Sequence, residues 1–433
     1  MSVTVVLGSQ FGDEGKGKLV DVLLSSGKFS LVARCAGGHN AGHSLVVNGK
    51  NFDFHILPSG LIAPNAINLI GNGTVFHVPQ FFKELKNLQD KGVSSEGRIF
   101  VSDRAHVLFE LHKRVDGLRE KALGASKVGT TGNGIGPCYS DKASRNGIRV
   151  IDILDKPFFE RRLRALEKIY RDEFGSLLEY DVEREIEEFN EYRKTLKPFI
   201  VDSLDMVCKA QDAGQEILVE AANALCLDID AGTYPFVTSS STGIAGVFSG
   251  LMGLRPETVN TRIGVVKAYS TRVGSGPLPT EDFGEVGKQY QEVGHEFGTT
   301  TGRRRRCGNL DLVLLRHTTA INRYTSLNLT KLDVLDGFKD IEVAVAYHTT
   351  DLEGNKRTWK NSLPADLTQL ESKNCQVESV KLEGWNSDIT KCKTWDELPR
   401  QAREYVEFVE KQVGVPISWI GVGPGRDAMI TRP

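Results

Sequence analysis

The feature that most constrains the fold of this chain is a glycine-rich loop, GSQFGDEGKGK, at residues 8–18. A β-branched run, VTVVLG, precedes the loop, and apolar residues at helical spacing follow it until Gly27. The pattern predicts a strand, a loop and a helix. Backbone N–H groups at the start of such a helix, together with the helix dipole, form a binding site for phosphate.

Two details of this loop affect its chemistry. The spacing from Gly12 to Lys18 fits GxxxxGK, but Leu19 stands where P-loop proteins carry a Ser or Thr that binds Mg²⁺. Asp13 and Glu14 lie inside the loop, and a carboxylate there repels phosphate unless a metal ion separates them or the acid takes part in the reaction. We interpret Asp13 as a functional residue that binds a metal ion or takes part in the reaction. The alternative is that both acids face solvent and stabilise the helix N-terminus.

Composition narrows the class of protein. The 433 residues carry a formal net charge of −2, so no basic excess favours nucleic acid or a membrane surface as a partner. The seven cysteines form no CxxC pair, which is typical of reduced cytosolic thiols. No apolar run reaches the length of about 18 residues that a membrane span needs. We expect a soluble, cytoplasmic protein.

Apolar runs alternate with helical patterns over much of the chain, which predicts an α/β fold with a mostly parallel, doubly wound central sheet. Residues 105–214 have the pattern of charged amphipathic helices and are predicted to form a helical insertion. Residues 336–399 are predicted to form a small α+β lobe. The nucleotide-binding core then comprises residues 1–104, 215–335 and 400–433. Within that core, residues 45–57 are a hairpin candidate with Asn48-Gly49 at the turn.

The motif TKLD, at residues 330–333, follows an apolar strand. A carboxylate at Asp333 can accept hydrogen bonds from N1–H and the exocyclic amine of guanine, whereas adenine would leave it unpaired. The aliphatic part of Lys331 can lie along the base. Together with the phosphate loop, this motif predicts a guanine nucleotide.

The loop GGHNAGHS, at residues 37–44, contains His39 and His43. An imidazole, with an ordinary pKa of about 6.5, can donate a proton to a developing oxyanion at neutral pH. We expect one of the two histidines to act as an acid, and the loop sequence leaves open which one.

The segment TTTGRRRRCG, at residues 299–308, places four arginines after three threonines and a glycine. A bare arginine run is typical of a solvated loop. Here the threonines add hydroxyl donors, and guanidinium groups bind carboxylates and phosphates through paired hydrogen bonds. The segment therefore favours a loop that binds an anionic substrate.

Seven motifs together resemble one family. In chain order they are GSQFGDEGKGK, GGHNAGHS, GTTGNGIGP, LDIDAGTYPFVTSS, KAYSTRVGSGP, FGTTTGRRRRCG and TKLDVLDG. They closely resemble the adenylosuccinate synthetase family and span nearly the whole chain. The resemblance implies a Mg²⁺-dependent ligase of purine (AMP) biosynthesis that joins IMP and L-aspartate into adenylosuccinate while GTP becomes GDP and phosphate. In that family GTP first phosphorylates the purine O6 of IMP, and the aspartate amine then displaces the phosphate.

The resemblance also implies residue roles. Asp13 would take the N1 proton of IMP and bind Mg²⁺, the carbonyl of Gly42 would contact the metal, and His43 would be the catalytic acid. The implied GTP-binding residues are Gly12, Gly15, Lys16, Gly17, Lys18, Gly42, His43, Ser44, Arg305, Lys331, Leu332, Asp333, Gly421, Val422 and Gly423. The implied IMP-binding residues are Asp13, Lys16, Asn40, Thr131, Arg145, Asn223, Thr238 and Arg303. The implied aspartate-binding residues are Thr299, Thr300, Thr301, Arg303 and Arg305.

Three positions concern assembly and departures from the family pattern. Arg145 is implied to reach the IMP phosphate of a neighbouring subunit, which implies a homodimer with shared sites. Asn223 stands where many members have Gln, and the shorter amide keeps the same donor and acceptor. Asn133 stands where the family loop often has a basic residue, so no charge is expected there.

Two alternatives differ in class or in substrate. A regulatory GTP-binding switch protein would carry Ser or Thr after Lys18, and it would leave the arginine run and the GGHNAGH loop without a role. An ATP-dependent amide-forming ligase on the same scaffold conflicts with the guanine-type TKLD motif.

Overall fold

A computed structural model of the chain describes residues 2–40, 42–47, 50–124, 129–298, 302, 304–351 and 353–432; at positions 43, 44 and 46 it describes the backbone. The strands are β1 Val3–Gly8, β2 Leu31–Arg34, β3 His43–Val47, β4 Lys50–Phe54, β5 Ile67–Ile70, β6 Val75–Phe76, β7 Ile99–Ser102, β8 His106–Val107, β9 Ile200–Val201, β10 Ile217–Glu220, β11 Thr261–Lys267, β12 Ser270–Arg272, β13 Arg306–Gly308, β14 Leu310–Asp311, β15 Ser326–Thr330, β16 Asp340–Thr350, β17 Lys356–Trp359, β18 Cys375–Glu383, β19 Ile417–Gly421 and β20 Met429–Thr431. The α-helices are α1 Lys16–Leu24, α2 Val78–Asp90, α3 Glu110–Ala122, α4 Ile135–Ser144, α5 Lys156–Phe174, α6 Val182–Leu196, α7 Ser203–Asp212, α8 Ile244–Gly250, α9 Glu285–Val293, α10 Leu312–Asn322 and α11 Arg400–Val413.

Ten strands form the central sheet, in the order β20-β19-β15-β11-β1-β10-β2-β5-β7-β9. All neighbours are parallel except β19 and β20, which are antiparallel. Val3, Val5 and Leu7 of β1 pack into one core cluster, and Val6 packs into another with α1. Because both faces are covered, the central strands are continuously apolar rather than alternating. The predicted parallel, doubly wound α/β fold is confirmed.

The first strand, loop and helix form as predicted. β1 ends at Gly8, α1 begins at Lys16, and Gly27 follows the helix with a φ of 68°. The predicted hairpin is present as β3 and β4, which are antiparallel with Val47 opposite Lys50. Its turn residues, Asn48 and Gly49, lie outside the described residues.

Residues 105–214 contain five of the described helices, α3 to α7. Phe109, Phe159 and Phe189 of this segment share a core cluster with Phe81 and Val101 of the sheet region. The segment also supplies β9, which pairs with β7 at the edge of the central sheet. Two residues are too few to show a strand period, so the helical pattern did not indicate this strand. The proposed domain bounds remain a prediction.

The described part of residues 336–399 contains three strands, β16 to β18, and a 3-10 turn at Leu367–Leu370. β14, which precedes this range, extends the same small sheet by pairing in parallel with β16. α10 contacts β16 and α11 contacts β18, so the helices that cover this sheet come from outside the range. Across the described residues, no helix combines the length and the apolar character that a bilayer span requires.

Candidate active site

A cleft of about 520 Å³ lies at the carboxyl ends of the parallel strands, where open α/β sheets bind their ligands. It brings together eleven of the predicted site residues from segments far apart in the chain. Those that line it are Gly12, Asp13, Gly15, Lys16, Asn40, Gly42, Thr131, Asn223, Thr238, Arg305 and Lys331.

The two acids of the glycine-rich loop differ in environment. Glu14 is buried, and its Oε1 accepts hydrogen bonds from the backbone N–H groups of Gln10 at 3.1 Å and Gly12 at 2.9 Å. Its Oε2 lies 2.9 Å from Lys16 Nζ. Asp13 lies at a φ of 58° and lines the cleft. The alternative in which both acids face solvent is therefore wrong: Glu14 holds the loop in shape, and Asp13 faces the cleft.

Asp13 belongs to a network of ion pairs at the cleft. Arg305 lies 2.8 Å from Asp13 and 2.7 Å from Glu296, whose side chain is fully buried. Glu296 also contacts Lys331 at 2.6 Å and Lys267 at 3.0 Å. Burial opposes the ionisation of Glu296, but the three cations outweigh it and hold its pKa well below the usual range. Burial likewise opposes the charge on Arg305, yet Asp13 and Glu296 raise its pKa.

Arg34 holds the described part of the loop at residues 37–44 in place. Arg34 donates to the carbonyls of Gly38, at 2.7 Å, and of His55. A side chain at Gly42 would place its Cβ 2.6 Å from His55 Nδ1, so the backbone at Gly42 approaches His55, the residue after β4, as closely as glycine allows. Asn40 accepts from the backbone N–H of Gly38 at 3.3 Å.

His39 does not suit the role of acid. It is buried and stacks on His77, with ring centroids 4.7 Å apart. Burial, followed by the proximity of His77, lowers the pKa of His39 to about 3, so the imidazole is neutral at pH 7. His43 remains the predicted acid. The side chains of His43 and Ser44 lie outside the described residues.

Three further predicted IMP contacts, Thr131, Asn223 and Thr238, line the same cleft. The Nδ2 of Asn223 is buried and has no hydrogen-bond partner among the described residues. Thr131 Oγ1 accepts from Asn133 Nδ2 at 3.1 Å, so Asn133 supports a neighbour rather than supplying charge. Thr238 is half-buried and held by a backbone bond to Leu227 at 2.8 Å.

The guanine motif lies beside this cleft, at the ends of the neighbouring strands β15 and β19. Asp333 Oδ1 is buried and has no partner within the part of the chain that the structure describes. Burial raises the pKa of Asp333, while Lys18 and Lys331 oppose that shift. Lys18 donates to the carbonyls of Gly423 at 2.6 Å and Ala428 at 2.8 Å. The carboxylate, the phosphate loop and the turn GPGR at residues 423–426 are thereby neighbours.

Some predicted residues lie elsewhere. Gly17, Leu332, Gly421 and Val422 are buried backbone or apolar positions that do not line the cleft. Arg145 is exposed at the C-terminal end of α4 and does not line the cleft either. Thr299, Thr300, Thr301 and Arg303 lie outside the described residues.

Our interpretation of the sequence missed several charged residues, of which Arg34 and Glu220 line the cleft and Lys267 and Glu296 are buried behind it. Arg34, Glu220 and Lys267 are the last residues of β2, β10 and β11, and Glu296 follows α9. A charged residue that ends a buried apolar strand is a usable signal, because parallel strands present their carboxyl ends to the same ligand.

The family comparison agrees with this geometry. The model of the family described as adenylosuccinate synthetase matches residues 5–430. A curated adenylosuccinate synthetase from Aspergillus niger is 58% identical over 434 residues, covering 100% of both chains, and one from Sordaria macrospora is 56% identical over 430 residues, covering 99% of this chain and 98% of the relative. The solved structure of the fully ligated adenylosuccinate synthetase from Plasmodium falciparum is 41% identical and superposes with a TM-score of 0.93 over 100% of both chains. This chain therefore belongs to the adenylosuccinate synthetase family, the GTP-dependent ligases of purine biosynthesis that join IMP and L-aspartate.

Proposed function

We propose that the cleft joins IMP and L-aspartate in two chemical steps, with Asp13 as the base of the first. The observation that carries this proposal is the placement of Asp13: a carboxylate in an anion-binding loop, facing the cleft, with Arg305 at 2.8 Å. An acid in this position is compatible with phosphate only where a cation balances it.

In the first step, Asp13 removes the N1 proton of IMP, and electron density moves to O6. This oxygen attacks the γ-phosphorus of GTP, and GDP leaves. Gly15, Gly17 and Lys18 bind the phosphates at the start of α1, and Lys16 lies between the two nucleotides. His43 acts as the acid that stabilises charge during the transfer.

In the second step, the aspartate amine attacks C6 of the phosphorylated IMP, phosphate leaves with the electrons of the C6–O bond, and the departing phosphate takes up the proton that the amine nitrogen loses. This order is chemically sound because a phosphoryl ester is a far better leaving group than an amide-like oxygen. Arg305 binds an aspartate carboxylate, together with Thr299, Thr300, Thr301 and Arg303.

Base recognition rests on Asp333 and Lys331. The buried Oδ1 of Asp333 has no partner among the described residues, and guanine offers N1–H and an amine as its donors. Leaving a buried carboxylate oxygen unpaired is costly, which supports discrimination against adenine.

The oxygen atoms that the cleft offers suit Mg²⁺. The described residues contain no group of three His, Cys, Asp or Glu side chains that could hold a metal alone. Mg²⁺ typically takes one or two carboxylates together with substrate phosphates, and Asp13 and the Gly42 carbonyl supply oxygen atoms at the same cleft. When bound, the ion would neutralise phosphate charge during transfer.

We also propose a homodimer in which Arg145 contacts the IMP phosphate of the partner subunit. Its exposed position at the end of α4, away from the cleft of its own chain, supports a role in trans. Asn40, Thr131, Asn223 and Thr238 bind IMP within the chain.

The test is phosphate release from GTP with Mg²⁺, IMP and L-aspartate supplied together and singly. We expect release only with both substrates, together with a product that contains aspartate. Hydrolysis of GTP without either compound would contradict the proposal and favour a GTP-binding switch, an alternative that the comparisons do not support.

A further inference from the structure

We propose that Glu296 is a positioning residue that holds Arg305 at the reaction centre and Lys331 at the guanine subsite from one carboxylate, and thereby couples the aspartate and GTP subsites. This inference rests on the proposed function, because it uses the ligands assigned there to Arg305 and Lys331.

The first support is that both oxygens of the Glu296 carboxylate accept several hydrogen bonds. Its Oε1 accepts from Lys331 Nζ at 2.6 Å, from Lys267 Nζ at 3.0 Å and from the Tyr269 hydroxyl. Its Oε2 accepts from Arg305 Nη1 at 2.7 Å and from Lys267 Nζ at 3.0 Å. A carboxylate offers about four acceptor positions, so displacement of one donor disturbs the others.

The second support is charge. Glu296, Asp13, Arg305, Lys331 and Lys267 comprise three cations and two carboxylates, which leaves one net positive charge at a cleft for anionic ligands. Lys267 is fully buried and does not line the cleft. It supplies the countercharge that keeps Glu296 ionised, while Arg305 and Lys331 present their outer faces to the cleft.

The third support is chain geometry. The backbone N–H of Arg305 donates to the carbonyl of Glu296 at 2.9 Å, and Phe297 pairs with Arg304 in an isolated β-bridge. Lys331 also donates to the carbonyl of Gly294 at 2.7 Å. Glu296 therefore lies at the base of the segment that carries the arginine run, and the guanine motif is fastened to that same base.

Glu281 offers a matched control. It bonds Arg306 through both carboxylate oxygens, each 2.9 Å from Nε, so it anchors the next arginine of the same run. Neither Glu281 nor Glu296 lines the cleft. Glu281 thus shares the loop-anchoring role of Glu296 without the contacts to Arg305 and Lys331.

The experiment compares kcat and the three KM values of wild type, Glu296→Gln and Glu281→Gln in the full chain. For Glu296→Gln we expect the KM values for aspartate and GTP to rise together by about tenfold or more, the effect of losing a charged hydrogen bond, with the KM for IMP within about threefold. Glu281→Gln should keep all three within about threefold. Unchanged aspartate and GTP values, or equal effects of both variants, would overturn the inference.

Glu296→Asp keeps the test decisive if the Gln variant does not fold. Its carboxylate is one methylene shorter and keeps the charge, so the same two KM values should rise together by a smaller factor, and no rise would count against Glu296 as a positioning residue. Thermal unfolding of each variant checks the fold. Wild-type phosphate release that needs both IMP and aspartate tests the proposed function separately.

Discussion

At the scale of the residue, the site shows how burial and partners give similar carboxylates different roles. Glu14 is buried and satisfied by backbone N–H groups and Lys16. Asp13 keeps about a third of its side chain exposed, at 32%, and faces the cleft. Asp333 has a buried oxygen without a partner among the described residues. We therefore expect Glu14 to stabilise the loop, Asp13 to act as the catalytic base and Asp333 to recognise the guanine base.

Asp13→Asn should lower kcat by at least about a hundredfold, the lower range for loss of a general base. The amide keeps the shape of the side chain, so thermal unfolding should change little. Steady-state turnover of IMP and aspartate measures the effect. As a control, Asp202→Asn at the N-terminus of α7 changes an acid that does not line the cleft and should keep kcat near wild type. Near-normal turnover of Asp13→Asn would disprove the base assignment.

Asp333→Asn should reduce the preference for GTP over inosine triphosphate, which lacks the guanine amine. The loss of one charged hydrogen bond predicts a fall in the kcat/KM ratio of about tenfold or more. Asp336→Asn is the matched control, because Asp336 already bonds Trp385 Nε1 at 2.7 Å and the N–H of Ile389 at 3.0 Å. If the ratio stays the same in Asp333→Asn, the guanine assignment is incorrect.

At the scale of the element, the start of α1 concentrates backbone donors and lysines at one point. Gly15 caps the helix at a φ of 89°, a conformation that glycine adopts without strain. Lys18 lies in the first turn and reaches the carbonyls of Gly423 and Ala428. The helix start and the C-terminal turn therefore act together on the nucleotide.

This placement predicts a pH dependence of GTP binding. Burial lowers the pKa of Lys18 to about 8, although Asp333 and Asp427 oppose the shift. Phosphate binds the protonated amine, so the KM for GTP should be flat below this pKa and rise by up to about tenfold per pH unit above it. Lys18→Arg stays protonated and should flatten the rise. Initial rates from pH 6.5 to 9.5 give the KM for GTP of the wild type and of Lys18→Arg. The same rise of this KM at alkaline pH in both enzymes would show that Lys18 is not the group responsible.

At the scale of the whole molecule, the helical segment and the sheet share one core. Phe189 of α6 is buried with Phe109 and Phe159, and the same cluster includes Val101 of β7. A shared core favours unfolding as one cooperative unit. The C-terminal strands also return to the central sheet beside β15, which places Gly423 and Ala428 within hydrogen-bond reach of Lys18 in the phosphate loop.

Phe189→Ala should therefore lower the midpoint of a single unfolding transition, with a loss of about 3–5 kcal/mol typical of a buried aromatic truncation. Leu177→Ala, at a side chain that is 67% exposed, should change the free energy of unfolding by less than about 0.5 kcal/mol. Calorimetry checks both. Two separate transitions in wild type would show that the segments fold independently.

If Arg145 acts in trans, mixing Arg145→Leu chains with Asp13→Asn chains should restore activity. In a mixed dimer, one of the two sites has a wild-type Asp13 and a wild-type Arg145, so up to about half of the mixed dimers' sites become active, following from two-fold symmetry. Each variant alone is the control. No recovery, after subunit exchange has been confirmed by a mass-tagged chain, would contradict shared sites.

The sequence by itself determined the elements whose signal is local. The strand, loop and helix at residues 3–24, the β3–β4 hairpin and the amphipathic helices within residues 105–214 follow from periodicity and turn residues, which act over a few positions. The chemistry of the motifs also pointed to Asp13 and Lys331, and the family resemblance singled out Arg305 within the arginine run; all three line the cleft.

Only the tertiary structure decided which charges meet. Lys267 and Glu296 are 29 positions apart, and Asp13 lies almost 300 residues from Arg305, yet the parallel sheet brings their segments to one edge. The two-residue strand β9 and the burial of His39 likewise depend on packing from distant segments. Electrostatic partners and burial are set by distance in space, and no local pattern in a chain encodes that distance.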